Sequence, residues 1–326
     1  MIRQGWPHQS FPSGWFQIGW SADFAPGEVR SARYFGKDLV IARTESGTAS
    51  VFDAYCPHLG AHIGLGGKII GENLACPFHG WQFDSDGRNV LVPYSTKVSK
   101  CRLRSWAVAE VSGLMLMWHD PDGTGPTWDA HAVADRVPDV DARGAEYVAG
   151  YPDGARRWER VHVYPQMIVE NITDPAHFHW VHHADWITRV ENFSEDGPQF
   201  NVLHTMQFAP NEPSKWTLDI RTYGVGVMTG TFRREDEIQF VEVQATTPID
   251  EEYSDVWGTI WMKAPDDGSA ITDEMRGVIA MQHEQLERDF FIWENMRYVP
   301  APPFAPEEAG PYRALRRWAG QFYSDN

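Results

Sequence analysis

The segment from Cys56 to Trp81, CPHLGAHIGLGGKIIGENLACPFHGW, constrains the fold of this chain more than any other. It contains two short motifs, Cys56-x-His58 and Cys76-x-x-His79, with 17 residues between them. Thiolates and imidazoles are strong metal ligands, and the prolines and glycines beside them are typical of tight loops. The segment therefore predicts a metal site built from two loops.

The order of the ligands indicates which metal this site holds. A structural zinc site uses the same residue types, but its paired ligands usually stand farther apart than Cys56 and His58. The order Cys-His, Cys-His suits an asymmetric two-iron cluster, in which two thiolates hold one iron and two imidazoles hold the other. We predict a Rieske [2Fe–2S] cluster bound by Cys56, His58, Cys76 and His79, with structural zinc as the less favoured alternative.

Length, charge and composition limit the remaining possibilities. The 326 residues suffice for two domains, and three cysteines are too few for a disulfide framework. A formal charge of −17 argues against nucleic acid or an anionic membrane surface as the main partner. The sequence has no apolar run long enough for a membrane span and no recognisable signal peptide, so we expect a cytoplasmic protein.

A stretch rich in Pro, Gly and Asp, residues 121–144, separates two regions of different pattern. Short alternating runs before it predict β-strands, and longer strand-like runs and two helices follow it. We therefore predict two domains, residues 1–130 with the cluster and residues 131–326 with a second function.

A second histidine-rich segment, ENITDPAHFHWVHH, begins at Glu170 and lies within a helix predicted over 167–185. Histidines on a helix are often surface or capping residues, but four within seven residues favour a metal site. On a regular helix His179 and His183 share one face, whereas His177 and His182 do so only if the helix bulges or breaks. Helix geometry alone therefore favours His179 and His183.

A carboxylate is needed to complete a mononuclear iron site of the two-histidine type. A long helix is predicted from about Thr272 to Arg297, with Glu284, Glu287, Arg288 and Glu294 on one face. Asp289 falls on the opposite face, among apolar residues, where a lone carboxylate is costly unless it is paired. It is a candidate metal ligand, with a buried salt bridge as the alternative.

The pattern Asn171-x-x-Asp174-x-x-His177-x(4)-His182, placed after a cluster motif, resembles the iron motif of the Rieske non-haem iron oxygenases. The resemblance implies that His177 and His182 bind Fe(II) and that a late helix supplies the third ligand, for which we choose Asp289. It also implies that Asp174 bridges to a cluster histidine of the neighbouring subunit and that Asn171 lies near the iron. His179 and His183 then pack nearby.

Further segments, among them VPYSTKV, MWHDPDG and GPYRALRRWAGQFY, resemble the oxygenase components of 3-ketosteroid 9α-hydroxylases. The first metal loop also resembles that of the cholesterol 7-desaturases. The resemblance implies an α+β fold with an N-terminal all-β Rieske domain, followed by a helix-grip catalytic domain with an antiparallel sheet and a long C-terminal helix. It further implies a head-to-tail homotrimer.

The implied function is the oxygenase component of a monooxygenase that hydroxylates an apolar polycyclic substrate, a steroid, with dioxygen. Since the sequence has no flavin or nicotinamide fingerprint, electrons from NAD(P)H are expected through a separate ferredoxin reductase or flavin/[2Fe–2S] reductase. Phe178, Trp180 and Trp186 are candidates for the pocket lining, with an ordinary core as an equal alternative. Alternative functions are sterol desaturation, O-demethylation or aromatic-ring hydroxylation, and a Rieske electron carrier with a lipid-binding domain.

Overall fold

The computed structural model describes residues 5–137, 146–207, 216–265 and 271–324. Its N-terminal part contains three small antiparallel sheets, with strand orders β1-β11-β10, β2-β3-β4-β9 and β5-β6-β7-β8. The strands are β1 (Gly14–Trp20), β2 (Val29–Tyr34), β3 (Lys37–Arg43), β4 (Ala49–Asp53), β5 (Lys68–Ile70), β6 (Asn73–Ala75), β7 (Gln82–Phe83), β8 (Asn89–Leu91), β9 (Ser105–Trp106), β10 (Val108–Val111) and β11 (Leu114–His119).

The C-terminal part is built on one eight-stranded antiparallel sheet with the order β12-β19-β18-β17-β16-β15-β14, in which β13 also pairs with β19. Its strands are β12 (Tyr147–Ala149), β13 (Ala155–Val161), β14 (Ile187–Asp196), β15 (Gln199–Gln207), β16 (Trp216–Tyr223), β17 (Val227–Arg234), β18 (Glu237–Pro248) and β19 (Ser254–Lys263). The α-helices are α1 (Pro165–Asn171), α2 (His177–Trp180), α3 (Asp273–Trp293) and α4 (Ala309–Ala319).

Helix α3 begins where the sequence predicts and lies against the large sheet. The side chain of Thr272 accepts a hydrogen bond of 3.2 Å from the backbone N–H of Met275, which satisfies one of the free donors of the first turn. Phe290 and Trp293 pack on Val256 of β19. The helix ends at Trp293 rather than at Arg297. The predicted α+β fold, with an antiparallel sheet and a long helix behind a β domain, is confirmed.

The opposite face of the large sheet packs on the N-terminal part and forms a core that both parts share. Trp15 and Trp20 of β1 lie in one apolar cluster with Val243 of β18 and Trp257 of β19. The Nε1–H of Trp20 also donates a 2.9 Å hydrogen bond to Thr259. Because successive strand residues point to opposite faces, the sheet joins the β domain on one side and helix α3 on the other.

Two details differ from the sequence analysis or lie beyond it. The single helix predicted over 167–185 is wrong, since the chain forms two short helices, α1 and α2, with a break between Asn171 and His177. Within the predicted connector, Ala130–Asp135 forms a 3₁₀-helix and residues 138–144 lie outside the described part of the chain. The division at residues 130 and 131 stays a prediction. Among the described helices, none combines the length and apolar character needed to cross a membrane.

Candidate metal centres

The two cysteines of the first motif lie on a pair of loops with the same backbone conformation. In each loop the glycine four residues after the cysteine donates its N–H to the cysteine carbonyl, from Gly60 to Cys56 at 2.9 Å and from Gly80 to Cys76 at 3.0 Å. Both glycines have positive φ, 76° and 69°, which a side chain at Cβ would disfavour. The loops therefore turn back tightly and present one cysteine and one histidine each.

The four side chains are arranged asymmetrically. The two thiols are buried and in contact, and burial, reinforced by the neighbouring Cys76, raises the pKa of Cys56 to about 11. The rings of His58 and His79 lie nearer the surface with centroids 4.8 Å apart. Paired inner thiols and paired outer imidazoles are the donor set that a Rieske cluster requires, so these residues fit that group.

Aromatic side chains support the histidine edge of this centre. Trp81 stacks on His58 with ring centroids 4.2 Å apart, and its Nε1–H donates a 2.7 Å hydrogen bond to the Tyr94 hydroxyl. Leu59 and Phe78 stand beside the histidines and are 65% and 62% exposed. Exposed apolar side chains therefore surround the histidine edge, from which a bound cluster would pass on its electrons.

The second centre starts from Asp174, which organises the chain between α1 and α2. Its carboxylate accepts hydrogen bonds from the N–H groups of Ala176 at 2.9 Å and His177 at 3.3 Å. Nδ1 of His177 bonds to the Asp174 carbonyl, so it carries the proton and Nε2 holds the lone pair. The Asn171 amide nitrogen lies 3.2 Å from that Nε2 and donates to it. His177 is therefore held in the tautomer that can ligate a metal through Nε2.

The end of helix α2 brings His182 to the same place. The helix stops at Trp180, and His183 has a φ of 54°, so the regular spacing that would pair His179 with His183 is lost. His179 instead hydrogen-bonds through Nδ1 to the carbonyl oxygen of Ala184 at 2.9 Å and is exposed. The preference of simple helix geometry for His179 and His183 is not supported by this arrangement.

His177, His182 and Asp289 converge, and their ligand atoms lie within 4.8 Å of one another. Burial lowers the pKa of His182 to about 4, with His177 and Arg288 adding to the effect. Burial, reinforced by the charge of Asp174, raises the pKa of Asp289 to about 7. Neutral imidazoles beside a buried carboxyl match the two-histidine, one-carboxylate set that binds non-haem iron. The residues thus fit the metal, while their role as ligands stays a prediction.

A cavity of about 960 Å³ opens beside this triad, between helix α3 and the large sheet. Most of its wall is apolar, and Phe178 and Trp186 line it as the sequence analysis suggests. Trp180 does not belong to the lining and is 75% exposed. Apolar side chains that contribute from the strands include Met206, Leu218, Met228 and Phe232.

Several polar residues of this cavity were missed by the sequence analysis. His204 is fully buried and hydrogen-bonds through Nε2 to the Ile172 carbonyl at 2.8 Å. Glu242 and His283 lie farther along the wall. Glu242 shares a strand face with Phe240 and Gln244, but only the register of the sheet reveals that this face borders the cavity.

Comparison with known proteins identifies the families to which the two parts of the chain belong. The Rieske [2Fe-2S] domain family matches residues 14–106, and the family described as 3-Ketosteroid 9alpha-hydroxylase C-terminal domain matches residues 117–323. A probable 3-ketosteroid-9-alpha-monooxygenase oxygenase component from Rhodococcus rhodochrous is 30% identical over 99% of this chain and 83% of the relative. A cholesterol 7-desaturase from Xenopus laevis is 29% identical over 97% of this chain and 72% of the relative.

Solved structures agree on the fold. The structure of dicamba monooxygenase bound to dicamba has a TM-score of 0.66 and 21% identity, covering 94% of this chain and 96% of that chain. At this identity the likeness concerns the fold alone. The sequence matches go further, since one catalytic-domain family covers more than half of the chain. The chain therefore belongs to the Rieske oxygenases, enzymes that combine a [2Fe–2S] cluster with a mononuclear iron, and its catalytic domain is of the 3-ketosteroid 9α-hydroxylase type.

Proposed function

We propose that this chain is the oxygenase component of a multicomponent monooxygenase that hydroxylates a steroid, using dioxygen and electrons from a separate reductase. The observation that carries the proposal is the cavity of about 960 Å³, which has the His177, His182 and Asp289 triad on its wall and a mainly apolar lining. Ligand pockets of this size and character suit a large apolar molecule. The relatives named for ketosteroid and cholesterol chemistry support the steroid class.

In this proposal His177, His182 and Asp289 hold Fe(II), and Cys56, His58, Cys76 and His79 hold the cluster. The iron would supply the activation of dioxygen for attack on a C–H bond. Asn171 donates to Nε2 of His177 and keeps that ring oriented. Asp289 approaches from a different element, so folding of α3 on the sheet completes the site.

The other residues bind the substrate and exclude water. Phe178 covers the triad, with its ring centroid 4.4 Å from that of His177 and 5.6 Å from that of His182. Met228 and Phe232 offer apolar contacts from the facing strand. A polycycle held there loses hydration on both faces, which favours binding and keeps water from the reacting carbon.

We further propose that the chain works as a head-to-tail homotrimer. Leu59 and Phe78 form an exposed apolar rim at the cluster. Trp180 and Phe291, each two residues along the chain from a member of the triad, are 75% and 72% exposed. Exposed apolar patches of this kind are typical of interaction surfaces. If the cluster rim of one copy meets the surface around Trp180 and Phe291 of the next, Asp174 links a cluster histidine to His177.

Turnover of a substrate panel tests the proposed function. The holoenzyme is supplied with NADH and a flavin/[2Fe–2S] reductase, and oxygen uptake and product mass are recorded with steroids and aryl methyl ethers. Gain of one oxygen atom by a steroid supports hydroxylation. Loss of two hydrogens would instead establish a desaturase, and loss of a methyl group from an ether would establish a demethylase. Oxygen uptake that no substrate stimulates would contradict the proposal.

A further inference from the structure

One acidic side chain on the cavity wall has no role in the metal site. Glu242 lies on the face of β18 that borders the cavity and makes no hydrogen bond or ion pair with any residue in the described part of the chain. A carboxyl group in a mainly apolar cavity is costly unless something pairs with it. An acidic side chain at this place therefore calls for a partner that enters from the cavity.

The strand beside Glu242 leaves space for that group. Gly230 of β17 pairs with Glu242, and a Cβ atom on Gly230 would lie 2.8 Å from Oε1 of Glu242. Any other residue at position 230 would therefore displace the carboxyl group. Glycine inside a strand is normally unfavourable and often marks a place where a ligand approaches closely.

A second polar atom without a partner lies on the same cavity. His283 of helix α3 is buried, and its Nε2 has no hydrogen-bond partner within the described residues. It faces Gly258 of β19, which pairs with Gln244, two residues along the strand from Glu242. The cavity thus has a polar region, formed by Glu242, Gln244 and His283, in a wall that is otherwise mainly apolar.

This polar region lies well away from the triad. Helix α3 runs antiparallel to β19, since Trp293 packs near Val256 whereas Ile279 packs near Ile260, the residue that pairs with Glu242. Six helical residues separate His283 from Asp289, a rise of about 9 Å, and two strand residues add roughly 7 Å on the other side of His283. Glu242 and Asp289 therefore lie on opposite sides of His283, with their backbone positions offset by roughly 15 Å along the cavity, which leaves room for several fused rings.

The protonation state of Glu242 indicates what it can bind. Burial alone raises the pKa of Glu242 to about 7. Near neutral pH, Glu242 is therefore a neutral acid in a large fraction of the molecules. A neutral carboxylic acid both donates and accepts a hydrogen bond. Glu242 therefore suits an uncharged oxygen group of a ligand. An anionic ligand would be repelled by the ionised form of Glu242.

We propose that Glu242 holds an uncharged oxygen group of the substrate, a ketone or hydroxyl, at the end remote from the carbon that is attacked. This inference rests on the proposed function and specifies how the cavity orients an apolar polycycle. The apolar wall binds the ring system without fixing its direction, and one hydrogen bond at the far end selects which carbon lies beside the triad. Glu242 is thus a specificity-determining residue.

Binding of matched steroids to the holoenzyme tests the inference without turnover. The ligands are 5α-androstan-3-one, 5α-androstan-17-one and oxygen-free 5α-androstane, delivered in cyclodextrin and followed by quenching of tryptophan fluorescence. Wild type is expected to bind one of the ketones about tenfold more tightly than androstane. Glu242→Leu is expected to remove this preference and leave the affinity for androstane within about threefold. Glu242→Gln keeps a hydrogen-bond donor and is expected to retain most of the preference for the ketone over androstane.

The controls separate this inference from the proposed function. Thr231→Val removes a hydroxyl outside the cavity lining, on the strand next to Glu242, and should leave the ketone preference unchanged. Wild type that binds all three steroids equally, or Glu242→Leu that keeps the preference, would overturn the role of Glu242 alone. Wild type that binds none of them would overturn the steroid proposal together with it.

A second measurement uses wild type only, in case Glu242→Leu does not fold. The carbonyl stretching band of each ¹³C-labelled ketone is recorded by infrared difference spectroscopy in its complex. A hydrogen bond from Glu242 should shift the band of the preferred ketone below its position in hydrocarbon solvent. A band at the hydrocarbon position for both ketones would overturn the inference.

Discussion

Nε2 of His182 lies 3.5 Å from Oδ2 of Asp289, and both side chains are almost completely buried. The histidine belongs to the segment after α2 and the aspartate to α3, so tertiary packing alone brings them together. Burial lowers the pKa of the His182 imidazole to about 4 and raises the pKa of the Asp289 carboxyl to about 7. A divalent cation between them would stabilise the ionised carboxylate, which burial disfavours.

Removing either ligand should therefore remove one iron. Reconstituted wild type is expected to hold about three irons for two acid-labile sulfides, and Asp289→Ala or His177→Ala about one iron per sulfide. Iron and sulfide analysis of the purified proteins measures this ratio. Asp185→Ala, an exposed carboxylate close to the same histidines, is the matched control and should keep the wild-type ratio. A wild-type ratio of one would contradict the assigned triad.

The cluster should depend on Cys76 but not on Cys101. Cys76→Ser removes a buried thiolate from the paired loops, and we expect loss of the visible absorption of the cluster. Cys101→Ser changes a half-buried thiol outside both loops and should leave the spectrum unchanged. Visible absorption together with electron paramagnetic resonance of the reduced protein makes the comparison. An intact cluster in Cys76→Ser would refute the ligand set.

Asp174 should matter for electron delivery more than for metal binding. Asp174→Asn keeps an oxygen that can accept the N–H bonds of Ala176 and His177, so both metals and the fold should be retained. Loss of the carboxylate should slow steroid turnover at least about tenfold, because a hydrogen bond to an ionised group is stronger than one to a neutral amide. Metal analysis, thermal melting and turnover are measured together. Wild-type turnover, or lost iron, would contradict the bridging role.

Subunit mixing tests the predicted trimer. If electrons pass between copies, Cys76→Ser chains and Asp289→Ala chains are each inactive, yet refolded mixtures regain part of the activity because an intact cluster meets an intact triad. Turnover is measured as a function of mixing ratio, together with mass by light scattering. Mixtures as inactive as the separate variants, despite a trimeric mass, would show that transfer occurs within one chain.

Glu242 should make the stability of the apo protein depend on pH. Its pKa is raised from 4.5 to about 7, so its favourable contribution is complete below pH 4.5 and is lost as the pH rises through 7. The free energy of unfolding of wild type relative to Glu242→Gln should therefore fall by on the order of 2 kcal/mol between pH 4.5 and pH 8. Urea unfolding at a series of pH values measures the difference. A difference that stays constant with pH would refute the burial of an unpaired acid.

The sequence indicates the paired loops of the first centre because the information that forms them is local. Cys56 and Gly60 belong to one turn, and the same pattern recurs at Cys76 and Gly80, so spacing alone indicates the loop geometry. Asp289 could also be selected from the sequence, because an isolated carboxylate on the apolar face of a long helix is conspicuous.

The choice between the histidine pairs could not come from periodicity. It depends on a helix of only four residues, whose start is held by the side chain of Asp174 and whose end at Trp180 is followed by the positive φ of His183. Glu242 could not be selected either. Whether it faces the cavity or the β domain depends on how β18 pairs with its neighbours, which is set by contacts between residues far apart in the sequence.

The two faces of β18 have consequences for how such a protein can diversify. Phe240, Glu242 and Gln244 border the ligand cavity, whereas Ala245 and Val243, which also reaches the cavity lining, pack in the core shared with the β domain. Alternate residues of a single strand are therefore subject to different demands. Mutation can change which molecule the cavity accepts while the intervening residues preserve the joint between the domains, so that new substrates can be acquired without rebuilding the electron supply.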